Sequence, residues 1–168
     1  MTYQVQSGFL ENYKAIPTTV TSVFALSAAY QTATESVIDY TPTANASFVI
    51  YNFCVYFGRT NASATRTNFI AKLQYSDNDG GSWSDWGDNT ECFIGSVGSY
   101  VRARTVTEVK FAISASGWTS SKKLRLQVKK YDSSSITGFH KLQDFYDENG
   151  FASGDSFFNP SVSCYSVE

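Results

Sequence analysis

One run of ten residues, FVIYNFCVYF at 48–57, limits this chain more than any other. Read as a strand, it sends Phe48, Ile50, Cys54 and Tyr56 to one side and Val49, Tyr51, Phe53, Val55 and Phe57 to the other, so both faces are apolar. A strand of this kind is buried on two sides. In a two-layer fold only one side meets the core. The second side has to be covered by a loop, by the N-terminal residues or by another subunit. Tyr51, Phe53 and Val55 are on this argument the candidate subunit contact, and self-association is expected. The run is interrupted by Asn52 and is too short to span a bilayer, so membrane insertion is not expected.

The period of two recurs along the chain. Phe69, Ala71, Leu73 and Tyr75 alternate with Ile70, Lys72 and Gln74. Thr107, Val109, Phe111 and Ile113 oppose Glu108, Lys110 and Ala112, and Leu124, Leu126 and Val128 oppose Lys123, Arg125, Gln127 and Lys129. No segment keeps apolar positions at helical spacing, and aromatic residues make up 16% of the chain, which is an all-β composition. Short strands are expected within 21–30 and 34–40, the second stopped by Thr41-Pro42, and a last one near Val162, Cys164, Tyr165 and Val167. About eight strands predict a single-domain, jelly-roll-like β-sandwich over 17–168, preceded by an N-terminal arm, 1–16, that Pro17 closes. A domain of this length removes about two-thirds of its unfolded surface from water and needs neither metal nor disulfide.

Charge and spacing argue against several chemistries. The net charge is −2 and the Lys and Arg are spread along the chain, so direct nucleic-acid binding is not expected. The cluster Lys122, Lys123, Arg125, Lys129 and Lys130 reads as a solvated edge strand. Cys54, Cys92 and Cys164 are odd in number and widely spaced, with no Cys-x-x-Cys, and are expected as unpaired thiols. No basic start followed by an apolar run is visible, which points to synthesis in a cytoplasm. The only histidine, His140, has no Gly-x-Ser-x-Gly serine to serve, and a structural role is expected for it. Nothing selects a carboxylate pair, and no phosphate-cradling loop occurs. Neither an enzyme, a metal centre nor a cofactor is expected.

The segment YSDNDGGSWSDWGDN, 75–89, reads as turn chemistry. The spacing of Ser76, Asn78, Gly80 and Trp83 resembles the Asp-box hairpin of sialidases and related propellers, with Asn78 standing where an Asp is usual. One copy does not make a propeller. Asp77, Asp79, Asp85 and Asp88 lack the ligand order of an EF-hand. Trp83 and Trp86 are the candidate ligand-stacking residues, because an exposed aromatic pair could lie against a sugar face.

Larger marks lie elsewhere. Tyr40-Thr41-Pro42 is followed by Ala46-Ser47 and the aromatic strand Val49 to Val55. Then come Trp118-Thr119-Ser120-Ser121-Lys122-Lys123-Leu124-Arg125-Leu126, Tyr131 with three serines, His140, and Phe145-Tyr146-Asp147. Across about residues 40–160 this pattern resembles small β-rich virion structural proteins of tailed phages of marine bacteria, cyanophages among them. The resemblance implies a virion protein with a jelly-roll-like domain, displayed as a capsid decoration, knob or fibre component and commonly trimeric. Copies of itself and other virion proteins are the expected partners, with a host surface glycan added where the protein serves as a receptor-binding module. Where such a pattern commonly has Trp-Asp-Gly, this chain has Tyr146-Asp147-Glu148-Asn149-Gly150, and it lacks a long repetitive stalk. The alternative, from a different class, is a carbohydrate-binding, receptor-recognising module of a tail fibre.

Overall fold

The computed structural model describes residues 12–15, 24–59, 67–87, 92–96, 105–131, 137–139 and 161–168. Among the described residues there is no helix, and the strands form two antiparallel sheets of six. The first sheet holds β1 (Asn12–Ala15), β2 (Phe24–Ala25), β5 (Phe48–Arg59), β9 (Thr105–Ser114), β11 (Thr137–Phe139) and β12 (Ser161–Val167). The second holds β3 (Gln31–Thr32), β4 (Ile38–Tyr40), β6 (Thr67–Ser76), β7 (Ser84–Asp85), β8 (Cys92–Ser96) and β10 (Lys122–Lys130).

Strand β5 is the centre of the first sheet. β9 pairs along one side of it, from Phe48↔Ser114 to Phe57↔Thr105. On the other side β12 pairs from Phe48↔Val167 to Cys54↔Ser161, and β11 follows at Phe57 to Arg59. In the second sheet β6 and β10 form the central pair, with β7 and β8 beyond β6 and β3 and β4 beyond β10.

Alternation decides what the layers trap between them. Val49, Tyr51 and Phe53 of β5, Val109 and Ile113 of β9, and Val162 of β12 are buried in one cluster with Phe69, Ala71 and Leu73 of β6 and Leu124, Leu126 and Val128 of β10. Each large apolar side chain so enclosed contributes about 1.5–3 kcal/mol relative to exposure. Two hydrogen bonds tie the layers across this core. The Tyr51 hydroxyl donates to the Ser36 carbonyl at 2.7 Å, and the Tyr40 and Ser166 hydroxyls meet at 2.7 Å.

Several expectations change here. Tyr51 and Phe53 are fully enclosed by the chain's own second sheet, so they are core residues rather than a subunit contact; the Val55 side chain lies outside the described residues. The outward row of β5 is Phe48, Ile50, Asn52 and Cys54, which runs from exposed at Phe48 to buried at Cys54. The end of the expected N-terminal arm is a strand of the sandwich itself, with Asn12–Ala15 pairing Cys164 to Ser161. The basic strand β10 is not an edge, because β6 pairs on one side of it and β3 and β4 on the other. Strands of two or three residues, such as β2, β3 and β7, are too short to show a period and raise the number above the eight expected.

The register also separates two thiols. Cys164 pairs with Tyr51 and shares its core face, whereas Cys54 pairs with Ser161 and faces outward. Both are free and buried. Side chains on opposite faces of a sheet cannot be bridged without backbone movement. Burial, and secondarily the charge of Glu108, pushes the Cys54 thiol up to about 11, and burial raises Cys164 further. An unfolded thiol ionises from about 8.5. The contribution of these groups to stability is therefore complete below that value and is lost as pH rises from it toward the folded value. In a Cys92→Ser background, a chromogenic thiol reagent at pH 8 should label Cys54 and Cys164 only as fast as the protein opens and at once in urea. Immediate labelling of the native protein would refute the burial argument.

Candidate functional site

The outward face of the second sheet carries a continuous polar row. Cross-strand partners share a face, so the register Arg125↔Gln74 and Gln74↔Asp85 brings three sequence-distant side chains together. The Arg125 guanidinium lies 4.0 Å from the Trp83 ring centroid and donates to Gln74 Oε1 through Nε at 2.9 Å and Nη2 at 2.7 Å. Gln74 Nε2 donates to Asp85 Oδ1 at 2.7 Å, and Lys72 Nζ donates to Asp85 Oδ2 at 2.8 Å. Lys72 and Lys129 lie 4.5 and 4.3 Å from the Tyr30 ring centroid. Beside them Gln127 is buried, and its amide donates to Thr32 Oγ1 at 2.7 Å.

Charge follows these contacts. The hydrogen bond from Lys72, then that from Gln74, holds the Asp85 carboxyl below its ordinary range. Burial draws the Arg125 pKa downward. Lys123 is raised by its hydrogen bonds to Asp79 and then Asp39, and Lys122 reaches Asp77. The aspartates of 75–85 are thus turned toward lysines and an amide.

Trp83 is positioned by the tight turn at the end of β6. Ser76 Oγ accepts from the Gly80 N–H at 2.9 Å and donates to Asn78 Oδ1 at 2.8 Å, and Asn78 Oδ1 also accepts from the Ser82 N–H at 2.8 Å. The φ of +90° at Gly80 is one that L side chains rarely adopt. A Cβ there would rest in ordinary contact with Trp83 at 3.5 Å, so it is the backbone conformation that calls for glycine. Because Ser76 is buried and its hydroxyl serves Asn78 Oδ1 and the N–H groups of Asn78 and Gly80, Ser76→Ala is expected to cost about 1–3 kcal/mol. Asn78→Asp keeps the accepting oxygen and should stay within about 0.5 kcal/mol of the parent in a urea melt. Equal effects of the two substitutions would contradict this account of the turn.

Trp83 and Trp86 do not make one platform. Three positions apart in extended chain, they leave on opposite faces. Trp86 donates its backbone N–H to the Leu73 carbonyl at 3.0 Å and packs at the core margin, 4.8 Å from the Tyr75 centroid and 5.1 Å from that of Trp118. Trp118 in turn meets Tyr40 edge-on at 6.1 Å. Tyr30, Lys72, Gln74 and Arg125 join Trp83 instead. The outward positions of Lys72 and Gln74 on β6 and of Arg125 on β10 are legible as alternation, but the neighbourhood depends on a register between distant strands. His140, Asp88 and the Phe145-Tyr146-Asp147 loop lie outside the described residues.

No protein-family model and no curated protein matches the chain. The functional reading therefore rests on the residues and their geometry.

Proposed function

We propose that this chain is a structural protein of a phage virion, a jelly-roll-like module displayed on the particle as a capsid decoration, knob or fibre component and assembled as a trimer. The observation that carries the reading is where the residues of the virion-protein resemblance lie. Tyr40 and Trp118 are in ring contact, Lys122 pairs with Tyr40 in register, and Leu124 and Leu126 are fully buried. These residues hold strands and a connection together, so the marks of the resemblance fall on the framework of the sandwich, which supports a shared fold. Support for assembly comes from the outward face of the first sheet. Phe48 and Val167 are opposite each other and 49% and 39% exposed, with Ile50 and Tyr165 half-buried beside them. A joined apolar patch of this kind favours contact with another copy.

The test is quantitative mass spectrometry of purified phage particles together with light scattering of the isolated protein. The chain should be present at a copy number divisible by three, and Phe48→Lys should shift the isolated protein toward monomer. Particles without the chain would overturn the reading. A second reading, a receptor-recognising module that binds a host surface glycan, is favoured by one specific feature, the Trp83 indole set beside planar hydrogen-bonding groups on an outward sheet face.

A further inference from the structure

We infer that the outward face of the second sheet binds a carboxylate-bearing saccharide, with Arg125 receiving the carboxylate and Trp83 lining the sugar site; this rests on the glycan-binding reading. A guanidinium has five N–H donors in a fixed fork. In Arg125, Nε and Nη2 both donate to the single oxygen of Gln74, and among the described residues Nη1 has no hydrogen-bond partner. The neighbouring cations differ in this respect. Lys72 has Asp85, Lys122 has Asp77, and Lys123 has Asp39 and Asp79, whereas Arg125 meets, among the described residues, a neutral amide and an indole and no carboxylate.

Two contacts fix the plane of this fork. The stack on Trp83 and the paired bonds to Gln74 leave one edge aimed in a set direction, and partial burial makes a counter-charge there more favourable. A planar carboxylate takes two N–H groups of such an edge side by side, a geometry that a lysine ammonium does not reproduce. The surroundings suit a sugar. Gln74 Nε2 has a second N–H beyond its bond to Asp85, and the Thr32 hydroxyl, which accepts from the buried Gln127, can still donate, as the hydroxyls of a saccharide ring require. An acidic peptide is less suited, because β10 and β6 are each paired on both sides and offer no open backbone ladder to an extended chain.

Isothermal titration with hexagalacturonate, maltohexaose and a hexaglutamate peptide tests this on the intact chain. Hexagalacturonate should bind at least about tenfold more tightly than either of the others, and Arg125→Lys, which keeps the charge and loses the fork, should weaken it by about tenfold. Trp83→Ala should weaken it similarly, while Glu108→Gln on the other sheet should leave it unchanged. Equal binding of maltohexaose and hexagalacturonate would overturn the acidic-sugar inference and leave the glycan-binding reading standing. Binding of no saccharide would overturn both. Hexaglutamate binding as tightly as hexagalacturonate would reduce the site to a general anion attractor and also overturn the inference. The comparison of three ligands on the parent protein decides the matter even where a variant fails to fold.

Discussion

Phe53→Ala is expected to lower the unfolding free energy by about 3–5 kcal/mol, because it removes an aromatic ring at 0% exposure from between two sheets that cannot close fully on the space it leaves. Domains have about 5–15 kcal/mol in total, so this single change takes a large share of the margin. Its neighbour on the opposite face behaves differently. Phe48 is 49% exposed, and Phe48→Ala should change the stability of the single chain by about 0.5 kcal/mol while reducing self-association. Tyr51→Phe lies between them. It keeps the ring but leaves the buried Ser36 carbonyl without its donor at 2.7 Å, a loss of about 1–3 kcal/mol. Urea melts followed by tryptophan fluorescence measure all three. A Phe53→Ala protein of parental stability that has lost its oligomeric state would return Phe53 to a subunit contact and overturn the placement described above.

Trp118→Ala should also cost about 3–5 kcal/mol. The indole is 5% exposed and sits in the connection between β9 and β10, where Gly117 takes a φ of +73° and the Trp118 N–H returns to the Ala115 carbonyl at 3.0 Å. Its Nε1–H donates to the Ser120 carbonyl at 2.7 Å, and its ring packs between Tyr40 and Trp86. The side chain thus closes one end of the core and holds the turn that reverses the chain. Trp118→Phe keeps apolar area but drops the N–H, and should lose less. The near-ultraviolet circular dichroism offers a second readout, because two indoles 5.1 Å apart couple their transitions. That signal should vanish in Trp118→Ala and in Trp86→Ala alike and persist in Trp83→Ala. A persistent signal after Trp118 is removed would show that the aromatic cluster is assembled otherwise.

The sequence by itself determined what a period of two can carry. The inward rows Phe69, Ala71, Leu73 and Leu124, Leu126, Val128, and the row Val109, Phe111, Ile113, are read from local alternation, because successive side chains of an extended chain leave on opposite faces whatever the strand pairs with. The same rule, applied to Trp83 and Trp86, already separates them. The tertiary structure decided everything that depends on which strand lies beside which. Local pattern states that both faces of 48–57 are apolar; only the position of β5 in the middle of a sheet, between β9 and β12, shows that Tyr51 and Phe53 meet the chain's own second layer. Arg125 and Gln74 are 51 positions apart, and Tyr51 of the first sheet meets Ser36 of the connection between β3 and β4. Strand pairing is a long-range choice, made by the burial of whole faces and the closure of loops between them, and a sequence of alternating residues is compatible with many registers. The candidate site is built from that choice. Its residues are ordinary outward positions on their own strands, and they become a site only where the register sets an arginine, an amide and an indole side by side.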